Sequence, residues 1–593
     1  MTNRLQSKNI SQGNIVYLID DKKKTASIIG YEPKATNLYV PRAINRNSQG
    51  YIVTSINDNV FQDSKIQSIT FDENSELKVI GKDSFKNSRI ESISIPSSVT
   101  KICEGAFYYC YEIKQFSIPN DSKLEEIGSK AFKYSSISYI FIPTNVKVIT
   151  NNTFYGCDKL NQISFAADSK LQKIEESAFY NAAINDISIP SNVTFIGLFA
   201  FCETRKLKTI SFPEDSKLQT LGNKSFYKSE IESICIPSSV TQIKYGAFCN
   251  TKSLRQVTFA PNSKLESIGR FAFSESSIES ITIPSRVTCI RDNAFYQCNH
   301  LQEVTFEEKS RIKIIDESTF QASSIRSITV PSSVTQIKEG AFSYCEKIQQ
   351  VLFSDNSKLQ IIDKKAFANS SIETIVIPSG VTEIGQNWID SCNNLLEIRV
   401  LPNNKRYLSL RNGKMLIGKS SLKSKIYNIF MFCARDVEHA IIPDDIEIID
   451  ENSFRGCSKL RNVTFSTNSK VQIMKKYAFS NSTIESITFP PSLTHICEYA
   501  FYECRNLNQV IASDNSKLQK IGQFAFAYSK IDSFSFTRTV TEIGEKPFFQ
   551  CKNLQIIEFD ENTKLKSINK RIFYGCKQAK KMIPAKILHL VEF

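Results

Sequence analysis

Residues 84–102 read SFKNSRIESISIPSSVTKI. The stretch opens on a small residue and a phenylalanine, Ser84-Phe85, and runs into an apolar segment in which residues alternate in character. Alternation of this kind places side chains on opposite faces of an extended chain. A later copy, SIESITIP at 277–284, shows it plainly: Ile278, Ile281 and Ile283 point inward, and Ser280 and Thr282 point outward. β-Branched residues suit such a strand. The proline ends it, because it offers no N–H to a neighbouring rung. Ser-Ser or Asn-Ser then turns the chain, a second apolar piece such as VTQI packs inward, and the next phenylalanine closes the turn.

The phrase recurs along the whole chain. Its phenylalanines stand at 61, 85, 107, 132, 154, 179, 201, 226, 248, 273, 295, 320, 342 and 367, with Trp388 in the next slot, and then at 454, 479, 501, 526, 548 and 573. From 85 to 367 the steps alternate 22 and 25, and the alternation resumes after 454, so the unit is a 47-residue pair of turns. One half is seen in FCNTKSLRQVTFAPNSKLESIG at 248–269. A period in the low twenties with a short strand is the mark of a leucine-rich repeat solenoid. The fold class expected is mainly β: a right-handed solenoid with short strands on the concave face and turns or short 3-10 pieces on the convex side. No single turn buries its own apolar face, so each is stable only through its neighbours.

The boundaries follow from where the pattern fails. Residues 1–12 are polar and read as a disordered N-terminus. Residues 13–35, with two apolar strands around Asp20-Asp21-Lys22-Lys23-Lys24, read as a β-hairpin cap. The repeat array spans 36–400. Residues 401–440 form an irregular island holding YLSLRNGKMLIG at 407–418, whose Asn412-Gly413 favours a type I′ turn. A second array spans 441–576, and 577–593 read as a C-terminal cap. The island is either a hairpin spliced into the solenoid or a joint between two arrays.

The 593-residue chain carries 74 Lys+Arg against 60 Asp+Glu, a net charge of +14 without a dense basic block. No stretch approaches the roughly 18 apolar residues of a membrane span, and the first residues hold no apolar run of signal-peptide length. Membrane insertion is therefore not expected. Nor is nucleic-acid binding, since the strand face lacks a basic, aromatic-interleaved track.

The string IPSSVTxIxxxAFxxCxxLxxVxF resembles the BspA-type, or Treponema-type, leucine-rich repeat, and the alternating NSKLxxIGxxAFxxSxIxSIxIP resembles its protist, trichomonad-like branch. The resemblance covers roughly residues 14–575 and recurs about twenty times. It implies a surface antigen or adhesin, at the cell surface or secreted, that binds host extracellular-matrix or cell-surface proteins. The alternative is a cytoplasmic scaffold binding intracellular protein partners.

Candidate contact residues are the outward strand positions that break a Ser/Thr/Gln carpet. These are the aromatic pair Tyr139 and Phe141 and the charged pair Glu397 and Arg399, because binding energy concentrates on aromatic and arginine anchors. A row of cations in the D/N-S-K-L turns, including Lys123, Lys170, Lys217, Lys264 and Lys470, suits an acidic glycan as a second class of partner. The cysteines three residues after a phenylalanine (Cys110, Cys157, Cys298, Cys345, Cys457, Cys504, Cys551 and Cys576) read as small packing residues. Equivalent positions 47 residues apart lie about 10 Å apart, beyond the roughly 7 Å a disulfide spans. Only Cys103/Cys110 and Cys497/Cys504 share a turn. The absence of a C-x-x-C pair speaks against structural zinc. The four scattered histidines and the lack of a phosphate loop or nucleophile elbow speak against an enzyme or a bound cofactor.

Overall fold

The computed structural model describes residues 8–513, 515–565, 568–576 and 591–592. The chain divides into two compact units, Met1–Arg311 and Ile312–Phe593.

In the first unit, each coil carries two strands. The longer strands, such as Ser68–Phe71, Ser233–Ile236, Gln256–Phe259 and Ser280–Ile283, pair in parallel with the equivalent strand of the next coil. The VTQI-type pieces form a second parallel ladder of two-residue strands, from Val79–Ile80 through Lys101–Ile102 and Gln242–Ile243 to Cys289–Ile290. These two-residue strands stand beside the turns expected opposite the long strands. Only one 3-10 element occurs among the described residues, Lys570–Phe573. The reason is register: an apolar residue repeated at the same coil position, Ile243 beside Ile268 beside Ile290, lines up backbone donors and acceptors as well as side chains.

The turn between the two strands is built by the proline. Val99, Val146, Val193, Val240 and Val287 each donate their N–H to the carbonyl of the proline three residues earlier, at 3.1–3.2 Å. Proline's fixed φ prepares the turn.

The phenylalanines form a stack. In the first unit the Phe61–Phe85, Phe85–Phe107, Phe107–Phe132, Phe201–Phe226 and Phe248–Phe273 centroids lie 5.0–5.3 Å apart, with ring planes within 25°. All are fully buried. A third backbone ladder runs beside them: Phe85 N–H donates to Ala106 O at 2.8 Å and Phe107 N–H to Ala131 O at 2.7 Å. The phenylalanine turn itself is tight. The residues two before and two after each phenylalanine adopt left-handed backbone, as at Lys130 and Tyr134 around Phe132 (φ 57° and 56°) or Asn152 and Gly156 around Phe154 (58° and 67°).

The first unit begins with antiparallel strands. Ile15–Asp20 pairs with Thr25–Tyr31, and Asp20 Oδ1 accepts the Lys22 and Lys23 N–H groups at 3.0 and 3.1 Å in the connecting turn. Thr25–Tyr31 then joins the short-strand ladder by pairing in parallel with Gln49–Ile56. The expectation of a disordered 1–12 fails for its described part. Asn9–Gln12 is a strand antiparallel to Ile15–Asp20, held by backbone pairing that needs no apolar side chains.

In the second unit the same two ladders run from Ile314–Ile315 and Ser327–Val330 to Glu383–Ile384 and Glu397–Val400. The expected placing of Trp388 in the aromatic slot is off by one. Ile389 holds the slot between left-handed Asn387 and Ser391, with Cys392 three residues on. Trp388 takes the place of the usual Ala or Ser, 4% exposed, with its ring edge-on to Phe367 at 76°. A three-stranded antiparallel insert follows, Tyr407–Leu410, Met415–Gly418 and Ile429–Cys433. Its loop is Arg411–Lys414 between the paired Leu410 and Met415, with Arg411, Asn412 and Gly413 all left-handed (φ 49°, 53° and 85°), so the expected two-residue type I′ turn is replaced by a four-residue one. The third strand then rejoins the solenoid: it pairs in parallel with Ile448–Ile449, and Phe430 stacks on Phe454 at 4.8 Å. The Trp388 and Phe454 coils also touch, through Asn452 Nδ2 to Asn387 Oδ1 at 2.7 Å and Arg455 Nη1 to Asp390 Oδ1 at 2.6 Å. The sequence expected as a C-terminal cap, 577–593, lies outside the described residues except for Val591–Glu592, which pairs with Ile568–Asn569.

Two substitutions probe this core. Phe248→Ala removes a fully buried ring with stacked neighbours on both sides and is expected to cost roughly 3–5 kcal/mol; an unchanged denaturation curve contradicts the stacking account. Where serine precedes the phenylalanine, the Ser225 hydroxyl is buried without a hydrogen-bond partner, whereas Thr153 in the equivalent place bonds the Thr150 carbonyl at 2.8 Å. Ser225→Ala should therefore stabilise the protein by about 1 kcal/mol and Thr153→Ala should not, which paired denaturation midpoints check.

Candidate functional site

The long-strand face of the first unit is a hydroxyl and amide surface, as alternation requires. Its groups bond one another across coils: Ser117 Oγ to Ser94 Oγ at 2.9 Å, and Thr282 Oγ1 with Thr305 Oγ1 at 2.8 Å. Such pairs leave each hydroxyl with spare hydrogen-bonding capacity.

One part of this face is concave. A groove of about 540 Å³ crosses the strands Ser68–Phe71, Ser92–Ser94 and Gln115–Ser117. Thr70, Ser92, Ser94, Gln115 and Ser117 line it, with Asp72, Glu73 and Asp121 at its margin. On the coil before it stands Tyr39, 57% exposed, whose hydroxyl donates to Asp72 Oδ2 at 3.0 Å. That bond and the adjoining carboxylate hold the Tyr39 phenol above its usual range. On the coil after it stands Tyr139, 40% exposed, with its hydroxyl 2.7 Å from Ser164 Oγ. Phe141 is two residues along the same strand and half-buried. The parallel ladder is interrupted between Gln115–Ser117 and Tyr139–Ile142, where Phe116 fills the strand core with a ring packed edge-on to Phe107 and Phe132 at 5.3 and 4.8 Å.

Tyr139 and Phe141 thus share one strand face. In the second unit, Glu397 and Arg399 share another and form an ion pair with each other, Arg399 being 70% exposed and Glu397 22%. Exposed pairs of this kind contribute little to stability. Alternation locates all four residues. Tyr39 was missed because its strand, Asn37–Val40, precedes the regular repeat.

The lysine row is hydrogen-bonded to the preceding coil: Lys170 Nζ donates to Asn145 Oδ1 at 2.9 Å and Lys217 to Asn192 Oδ1 at 2.8 Å, which leaves their charge in place, while Lys470 forms an ion pair with Asp445 at 2.6 Å.

All sixteen cysteines are free thiols. Cys110 and Cys157 donate to the carbonyl of the phenylalanine one coil back, Phe85 and Phe132, at 3.1 and 3.0 Å, with Ser88 and Ser135 beside the sulfur at 3.7 Å. Burial pushes both thiols up to about 12. Two cysteine pairs do sit on consecutive coils, contrary to the expected two-rung spacing. They are Cys551 with Cys576, and Cys433 with Cys457, because Phe430 occupies the aromatic slot next to Phe454. At Cys457 burial raises the thiol, but a hydrogen bond with Cys433 and the Arg435 guanidinium 3.5 Å away outweigh it, bringing Cys457 down to about 7 and leaving Cys433 high. Neither same-turn pair, Cys103/Cys110 or Cys497/Cys504, is bonded.

Beside this cluster lies a cavity of about 70 Å³ lined by Trp388, Phe432, Arg435, Asp450, Glu451 and Asn452. Liquid water occupies about 30 Å³ per molecule and ligand pockets start near roughly 300 Å³, so the space suits water and not a substrate. Among the described residues no group of three or more His, Cys, Asp or Glu is placed to hold a metal ion, and no helix is long and apolar enough to cross a membrane.

The orientation of the strand residues is checked by thiol labelling. Cys235 faces outward on Ser233–Ile236 and is exposed, whereas Cys110 and Cys157 are fully buried. Iodoacetamide at pH 8 should modify Cys235 in the native protein and spare Cys110 and Cys157 until denaturant is added; mass spectrometry showing equal labelling contradicts the assigned faces.

The family model for the BspA type leucine rich repeat region (6 copies) matches residues 47–161, 125–255, 172–284, 219–349, 313–410, 424–555 and 519–592. No curated protein matches the chain. Among solved structures, the pneumococcal vaccine antigen PcpA is similar at 21% identity, covering 61% of this chain and 87% of that one, with a TM-score of 0.47. A leucine rich cell surface protein of Faecalibacterium prausnitzii is similar at 17% identity, covering 96% and 92%, with a TM-score of 0.33. A leucine-rich repeat protein of Bacteroides ovatus is similar at 19% identity, covering 94% and 99%, with a TM-score of 0.32. With the family model matched over most of its length, coil after coil, this chain belongs to the BspA-type leucine-rich repeat family.

Proposed function

We propose that the protein is a non-enzymatic adhesin whose long-strand face, in the first unit, receives an extended segment of a protein partner. The observation that carries this is the polar groove crossing three strands, with Tyr39 on the coil before it and Tyr139 and Phe141 on the coil after it. An extended peptide presents backbone donors and acceptors at regular intervals, and rows of Ser, Thr and Gln side chains offer matching partners. The two aromatic positions act as anchors at the ends. Asp72, Glu73 and Asp121 at the margin favour a segment carrying lysine or arginine. Glu397 and Arg399 form a second, charged contact point in the other unit. The adhesive role and its display at the cell surface rest on family membership.

The alternative is an intracellular scaffold that uses the same face, and sixteen unpaired thiols favour it, since reduced cysteines persist best in a reducing compartment. Surface biotinylation of intact cells separates the two: labelled protein supports display, and complete protection removes it. The groove is tested apart from location. Partner retained on the immobilised full-length protein should fall at least about tenfold for Tyr139→Ser combined with Phe141→Ser, with the melting curve unchanged. Retention equal to wild type places the contact elsewhere.

A further inference from the structure

The phenylalanine turns of the first unit carry a second surface that the strand face does not explain. The residues one and two after the buried phenylalanines form columns. Tyr109 stacks on Tyr134 at 5.3 Å and 4°, Tyr134 meets Tyr155 at 5.4 Å, and Tyr155 stacks on Tyr180 at 4.6 Å and 4°. Tyr108 adds to the stack at 4.0 Å from Tyr109, and Tyr111 stands beside it, 57% exposed. Two lysines lie on this stripe. Lys133 Nζ is 4.3 Å from the Tyr155 ring and 5.4 Å from Tyr134, and Lys86 Nζ is 5.6 Å from Tyr108.

Tyr109 and Tyr134 sit in left-handed backbone, φ 60° and 56°. The same coil position is held elsewhere by Asn87, Gly156, Asn181 and Asn250, which tolerate it best, and by Glu203, Lys228, Glu275 and Gln297. What sets the tyrosines apart is that they stack on one another from coil to coil.

Charge gives the direction. Neither Lys86 nor Lys133 has an ion pair among the described residues, while the carboxylates nearby are engaged: Glu104 by Lys82 and Lys130, Glu112 by Arg89, and Asp158 by Lys159. Where the rings face one another, Tyr109 on Tyr134 and Tyr155 on Tyr180, what they offer outward is edges and hydroxyls; Tyr134 and Tyr155 meet edge to face at 75°. Ring edges carry the positive side of the aromatic quadrupole, and phenol hydroxyls donate hydrogen bonds. Edges, hydroxyls and free ammonium groups all attract anions. Between Tyr109 and Tyr134, and between Tyr155 and Tyr180, the stacked faces leave no slot for a nucleobase. Lys86 and Lys133 are two coils apart, so the stripe presents two positive charges roughly 10 Å apart, with Tyr180 at the next equivalent position. A regular polyanion meets that arrangement better than an irregular acidic peptide does. We propose that the Tyr108–Tyr180 stripe, with Lys86 and Lys133, binds a linear anionic polysaccharide. In the second unit the column at the same coil positions, Tyr502, Tyr528, Phe549 and Tyr574, has no lysine over its rings among the described residues.

The test is binding of the full-length protein to an immobilised, heparin-derived sulfated dodecasaccharide, titrated with salt. Expected is salt-sensitive binding that falls at least about tenfold for Lys86→Gln combined with Lys133→Gln. It should persist for Lys170→Gln combined with Lys217→Gln, which removes cations of the separate turn row. Tyr134→Asn, which suits the left-handed backbone, should melt no lower than wild type yet bind more weakly. Absence of binding, equal binding by the Lys86/Lys133 variant, loss confined to the Lys170/Lys217 variant, or equal or stronger capture by oligo-dT or polyglutamate overturns the proposal. None of these outcomes bears on the strand-face groove, whose readout is protein capture.

Discussion

Every coil depends on the ring stacked on it. The phenylalanine of one turn is buried only because the phenylalanines before and after cover its two faces, at close to 5 Å, and its N–H is satisfied only by a carbonyl of the next coil. Burial of such a ring contributes roughly 1.5–3 kcal/mol, and none of it exists for a coil alone. The two strand ladders depend on the same register. A coil is thus tied to its neighbour at three places: long strand, short strand and phenylalanine turn. That explains why the 22/25 alternation tolerates so little drift. An added residue anywhere in the coil displaces all three.

The insert in the second unit shows what the constraint demands when it is broken. Residues 401–428 do not continue the coil, yet the chain returns only where an aromatic ring and a parallel strand can be supplied together. Ile429–Cys433 supplies both, with Phe430 in the stack and Ile429 and Phe430 paired to Ile448 and Ile449. The same event puts Cys433 on the rung next to Cys457 and sets Arg435, buried against the Cys457 sulfur, in the place where a serine usually stands. An unusual thiol pair follows from how the repeat restarts.

The periodicity made the coil legible because apolar residues recur at fixed steps. It also located Tyr139, Phe141, Glu397 and Arg399 on outward strand positions, since alternation assigns faces. What stayed hidden has no periodic apolar signal. The short-strand ladder is two residues long in each coil, too brief to stand apart from a turn. Asn9–Gln12 is polar and pairs through backbone alone. The loop at Asn412-Gly413 has the dipeptide of a two-residue turn, but Arg411 also takes the left-handed conformation and lengthens it. The groove beside Tyr39 depends on where strands sit next to one another, which no single repeat encodes.

The tyrosine stripe was hidden for a different reason. In each coil the positions flanking the phenylalanine must turn left-handed, and a left-handed L-residue costs roughly 1–2 kcal/mol when it is not glycine or asparagine. Asn152, Gly156 and Asn181 meet that cost least, yet Lys130, Glu203, Lys228 and Glu275 take the same positions. Tyr109 and Tyr134 differ from these in stacking from coil to coil without adding to the buried core, which the phenylalanines already fill. Core positions in this fold are chosen by the neighbouring coil and carry little information about partners. The outward positions are free to vary, and the left-handed ones vary against a cost. A column of surface rings ordered from coil to coil is therefore a better guide to recognition than a residue placed where any side chain would fit.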